Sequence, residues 1–139
     1  MVFGKKTTRR VTHPAFGELE LDRFGSWVGS VSFLDTVGEV QLRVRASGPE
    51  VPAWAEPSLK GLADSFPELD REFEPSFARL RAEVEAQEGV LSGFTTVVED
   101  IHLLEADRYT VGFGLEEVEE WGLTIEVQNG RVVAEWADH

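Results

Sequence analysis

The sequence predicts an α+β domain: a mainly antiparallel sheet with a central helical segment packed on one face. Three observations carry that expectation. Apolar side chains recur at every second position from Phe16 to Ala46 and again after Gly89, the period of half-buried strands. Between those stretches they recur at steps of three and four from Leu59 to Val84, the period of one helical face. The strand runs are separated by short Gly, Asn and Asp turns, which join antiparallel neighbours. Strands grouped on either side of a helical middle, rather than alternating with helices, place the chain in the α+β class.

The elements follow in chain order. Residues 1–12 hold Lys5, Lys6, Arg9 and Arg10 without an apolar period, so they are expected to be a basic, flexible lead-in or an edge segment. The domain is expected over 13–139, opening at His13-Pro14, where the proline forces its predecessor into an extended conformation. Leu19 and Leu21 alternate with Glu18 and Glu20. Trp27, Val31 and Phe33 alternate with Val28, Ser30 and Ser32, and Val40, Leu42 and Val44 with Gln41, Arg43 and Arg45. Turns at 22–25 and 35–38 divide these runs into a three-stranded meander.

Pro57 suits a first helical turn before Leu59, Leu62, Ala63 and Phe66. The stripe continues through Leu69, Phe73, Phe77, Leu80 and Val84, but Pro75 removes a backbone donor and crowds the preceding turn. A break into two helices is expected there, with a stop at Gly89. About four strands then follow: Val97–Glu105, Tyr109–Leu115, Leu123–Gln128 and a last one through Trp136. The last two are joined by Asn129-Gly130, the preferred pair of a type I′ hairpin turn.

Thirteen basic against 26 acidic side chains give a net charge of −13. That field repels phosphate backbones and anionic lipid, so neither nucleic acid nor membrane is expected as a partner. The longest apolar runs fall far short of the ~20 residues of a bilayer span, and the first residues lack the apolar core of a secretion signal, so a cytoplasmic address is expected. With no cysteine there is no disulfide and no thiolate nucleophile or metal ligand.

Catalytic chemistry finds no foothold in the order of residues. Gly25-Ser26-Trp27-Val28-Gly29 lies in a hairpin rather than at a strand-to-helix elbow, and Gly112-Phe113-Gly114 lacks the third glycine and following helix of a dinucleotide loop. The histidines, His13, His102 and His139, are far apart. Asp100-x-His102 would place two side chains on one strand face, a surface pair or two ligands of a site. No catalytic residue, cofactor or metal is therefore assigned.

Two features invite a binding role. The run Glu116-Glu117-Val118-Glu119-Glu120 concentrates charge in one loop, suited to a basic protein partner or to keeping a strand edge solvated. Of the four tryptophans, Trp27 and Trp136 fall on apolar strand faces and are expected in the core. Trp54, in a proline-bounded segment, and Trp121, beside the acidic loop, are candidates for an interface rim. The candidate partner-binding set is Trp54, Glu116, Glu117, Glu119, Glu120 and Trp121.

The stretch His13-Pro14-x-Phe16-Gly17-x-Leu19-x-Leu21-Asp22-Arg23, then Gly25-x-Trp27-x-Gly29-x-Val31-x-Phe33, resembles a family of small prokaryotic domains of unknown function. Trp121-Gly122-Leu123-Thr124-Ile125-Glu126-Val127 looks like that family's closing strands. The resemblance spans nearly the whole chain and brings no activity with it. Some domains of this general kind are suspected immunity proteins of bacterial toxin systems, which implies an inhibitor of a basic toxin.

The expectation is thus a non-enzymatic protein-interaction domain of the immunity type. The alternative is a small-molecule or metal-dependent binder or enzyme, its carboxylate-lined site lying between sheet and helices and drawing on Asp100, His102, Tyr109 or the acidic loop. A homodimer formed through a strand edge or Trp54 is a third possibility.

Overall fold

The structure, a computed structural model, describes residues 9–138. In it the chain is α+β: one sheet of eight strands whose spatial order is the chain order, with one helix on one face. The strands are β1 (Arg10–His13), β2 (Gly17–Leu21), β3 (Ser26–Leu34), β4 (Gly38–Arg45), β5 (Thr96–Glu105), β6 (Arg108–Leu115), β7 (Gly122–Gln128) and β8 (Arg131–Asp138). The helix α1 (Ala55–Glu88) joins β4 to β5. Every neighbouring pair is antiparallel except β4 and β5, which run parallel with Gln41 opposite Asp100 and Arg43 opposite His102. A parallel pair needs a crossover, and α1 supplies it.

Short-range chemistry sets the turns. The Asp22 carboxylate accepts from the Phe24 and Ser26 amides, both at 2.9 Å, and Gly25 takes φ 82°. Asn129 and Gly130 both have positive φ, 52° and 76°, as a type I′ turn demands. His13 Nδ1 accepts from the Ala15 amide at 3.0 Å while its ring stacks on Phe16, so this histidine closes the β1–β2 turn.

Alternation sorts the core. Trp27, Leu42, Val44, Ile101, Leu103, Val111, Ile125 and Val127 are fully buried on one face of the sheet. Against them lie Leu62, Phe66, Leu69, Phe73, Phe77, Leu80 and Val84 of α1. Edge-to-face contacts link Phe33, Phe66, Phe73, Phe77 and Phe113 across the two layers. A second tie joins α1 to the outermost strand: Glu135 of β8 accepts from Ser76 Oγ at 2.8 Å and from the Arg79 guanidinium, which holds its carboxyl below the usual carboxylate range.

Three expectations are corrected and one alternative is decided. The sheet has eight strands rather than about seven, because Arg10–His13 already pairs with β2. There Val11 packs on the core and Arg10 stands near Glu18 and Glu20, so from Arg10 the stretch takes the edge-segment alternative; residues 1–8 lie outside the described residues. The helix does not break at Pro75: α1 runs 34 residues through both Pro67 and Pro75. Both prolines are on its exposed side, where water satisfies the freed carbonyls, and the buried stripe holds the turns together. Finally, Trp136 is 48% exposed, not core, because β8 is the outermost strand and Trp136, opposite Thr124, is on the face away from the helix.

Candidate functional site: an acidic end and an uncovered sheet face

The loop between β6 and β7 folds back on the start of β5. Thr95 receives the Glu116 amide at its carbonyl, 3.1 Å, and donates its own amide to Glu117 Oε1 at 2.6 Å. That bond holds the Glu117 carboxyl below its ordinary value. Val118 packs on the core, and Trp121 is buried with its Nε1 donating to Glu88 Oε1 at 3.3 Å. With these two apolar side chains turned inward, all four glutamates of the loop are exposed, Glu117 bonded to Thr95 and Glu116, Glu119 and Glu120 without such a bond among the described residues. Glu99, the residue at a register shift in β5, joins Glu116 and Glu119 around a depression of about 510 Å³ floored by Gly114. The last turn of α1 ends at this corner without a basic residue, with Glu85 and Glu88 in it. Among the described residues Glu99, Glu116, Glu119 and Glu120 have no ion-pair partner.

Of the six residues singled out from the sequence, the structure brings four carboxylates to one loop and removes Trp121 from the surface. Trp54 is half-buried at the other end of α1, as its N-cap, so it does not join them. Glu99 was missed, because only the register of β5 brings it to the loop.

The second cluster lies on the sheet face that α1 leaves uncovered. Since Ile101 and Leu103 point into the core, Asp100 and His102 point away from it, beside Arg43 of the parallel neighbour. Under the middle of α1, Trp27 and the phenylalanines fill the space between sheet and helix, where a carboxylate-lined site was the alternative expectation; a depression remains beside its first turns. Tyr109 faces that filled side and so does not meet Asp100 and His102. Gly112 seats the Asp100 carboxylate where its own side chain would stand, and Gly114 seats that of Glu99. The Gly-Phe-Gly run is therefore a pair of notches for acidic neighbours.

No family model, curated protein or solved structure matches this chain. Its site is read from geometry alone. Among the described residues no three of His, Asp or Glu converge as metal ligands, and no helix is long and apolar enough to cross a membrane.

Burial raises the Asp100 carboxyl, against the pull of Arg43 and His102. Burial, with Arg43 and then Arg45, holds the His102 imidazole below its ordinary value, opposed by Asp100 and Asp22. His102 Nε2 and Arg43 Nε are both sealed from water without a hydrogen-bond partner. A histidine with a depressed value is neutral in the fold and takes up its proton more readily once unfolded. Stability is therefore full above its ordinary value of about 6.5 and falls as pH drops through it. His102→Gln is expected to flatten the decline in Tm between about pH 7 and 5, measured by thermal denaturation across that range. An unchanged slope would show that His102 is not the group responsible. Carboxylates with lowered values, such as Glu135, lose their contribution only at more acid pH and do not mimic this.

Proposed function

We propose that this chain is a non-enzymatic interaction domain whose acidic end engages a basic protein, as an immunity-type inhibitor of a toxin would. The observation that carries the reading is the set of exposed carboxylates at Glu99, Glu116, Glu119 and Glu120, without an ion-pair partner among the described residues, at the end of the molecule where α1 ends without a basic residue. The C-terminus of a helix carries partial negative charge, so Glu85 and Glu88 in the last turn of α1 are unfavourably placed, and the loop carboxylates add like charge to this end of the molecule. Charges placed against stability in this way gain their favourable partner when a cation-rich surface arrives. A focused negative field also raises the rate of encounter with such a partner and weakens as salt screens it.

The triple reversal Glu116→Lys/Glu119→Lys/Glu120→Lys separates stability from binding. Its Tm is expected to rise at low salt, because local repulsion is relieved. Capture of a basic protein from the native host's extract, salt-sensitive with the original chain, is expected to be lost with the variant. Equal capture by both chains, or capture indifferent to salt, would overturn the reading.

A further inference from the structure

β2 accompanies β3 for only two register positions, Glu20 with Val28 and Leu21 with Trp27, whereas β4 stays with β3 from Ser26 to Leu34. Beyond Val28, no described strand pairs with the β2-side edge of β3. Backbone direction along β3 follows from two bonds. The Ala46 amide donates to the Gly25 carbonyl, toward β4, and the Asp22 amide donates to the Ser26 carbonyl, toward β2. Alternation then turns Ser26, Val28, Ser30 and Ser32 to the β2 side, and the register shift comes only after Ser32. The N–H and C=O groups of Ser30 and Ser32 thus stand on the open edge.

That edge is one wall of a depression of about 530 Å³. Phe16 at the β1–β2 turn and Leu59 and Ala63 of α1 supply an apolar wall, with Glu56 and Lys60 also lining it. Glu39 accepts from Ser30 Oγ at 2.6 Å on the face away from α1, so it holds the Ser30 hydroxyl outside the depression. Strand edges are ordinarily blunted by pairing, bulges or inward charge. Here donors and acceptors at a two-residue spacing face an apolar wall, which is the arrangement that takes an added strand.

We propose that this groove binds an extended segment of a partner polypeptide as a further strand on β3. The segment pairs its backbone with Ser30 and Ser32 and sets an apolar side chain against Phe16, Leu59 and Ala63. Glu56 and Lys60 balance each other in the lining, and the chain's net charge of −13 favours a basic residue flanking that apolar side chain. The length of open edge admits about four residues, roughly 13 Å at the strand rise. This site is at the first turns of α1, the acidic loop at its last, so the two proposals stand or fall separately.

The test uses the whole chain labelled with ¹⁵N and a blocked peptide, Lys-Val-Thr-Val-Lys, beside the same peptide N-methylated at its central amides. Titration is expected to shift the Ser30 and Ser32 amide signals and, at saturation, to slow their hydrogen exchange at least tenfold. The N-methylated peptide is expected to do neither. Ala63→Trp, which fills the groove, is expected to weaken binding at least tenfold, whereas the triple lysine variant of the acidic loop still pairs at Ser30 and Ser32. Shifts confined to the uncovered sheet face or the acidic loop would overturn the proposal, as would indifference to N-methylation. So would Ser30 and Ser32 amides already protected in the free protein, whether by the chain's own residues 1–8 or, if the protection grows with concentration, by a second copy.

Discussion

Trp121→Ala is expected to lower stability by about 3–5 kcal/mol, the range for removing a large buried aromatic side chain. The ring is 2% exposed and plugs the corner where the acidic loop meets the end of α1. Truncation leaves a cavity there and deprives the Glu88 carboxylate of the indole donor. Urea unfolding would show the loss as a lower midpoint at an unchanged slope. A surface anchor would behave otherwise: its removal would leave the midpoint within about 0.5 kcal/mol of the original. The same measurement on the triple lysine variant, expected to move the opposite way, makes the two halves of this loop separable.

Pro75→Ala is expected to stabilise the protein by about 2 kcal/mol. A proline in a helix interior costs about 3 kcal/mol or more relative to alanine, because a hydrogen bond is missing and the ring meets the preceding turn. Against this, alanine frees the unfolded chain, which offsets roughly 0.4–1 kcal/mol. The first effect is larger because α1 is continuous through residue 75 and the position is exposed, so alanine restores the bond without disturbing the core. If the helix were interrupted at Pro75, alanine would have no bond to restore and the midpoint would fall. Neither Ser76 nor Phe77, both buried next to it, is touched by the change.

Much of this fold is legible from residue order, and the illegible parts share a cause. The period-two runs through Trp27–Phe33 and Leu123–Val127 name both their strands and their buried faces, since one face of each strand is in the core. The stripe from Leu59 to Val84 does the same for α1. Local chemistry leaves β1 undecided between lead-in and edge strand, because it is four residues long with a single apolar side chain packed on the core. Nor does it foretell that Pro75 is outward-facing and tolerable, which depends on how the whole stripe docks.

The tryptophans illustrate the point. Trp121 beside four glutamates looks like a rim residue and is buried, while Trp136 in an alternating strand looks like core and is half-exposed. Their environments are decided by which strand lies outermost and how a loop folds back, both tertiary matters. Asp100 and His102 sharing a face was readable from their spacing. That Arg43 stands beside them was not, because the parallel pairing of β4 with β5 joins residues from the two sides of the helix.

That parallel seam also orders the folding reaction. Each group of four strands is a run of hairpins whose partners lie close along the chain, so each can collect its contacts quickly. The seam between β4 and β5 closes a loop that contains all of α1, and its entropy must be lost before the pairing returns anything. The two meanders are therefore fast, local events, and their joining over the helix is the slow, concerted one. Until it happens, the inner edges of β4 and β5 are open to other chains in the cell, a window in which a surplus of surface carboxylates keeps nascent copies apart.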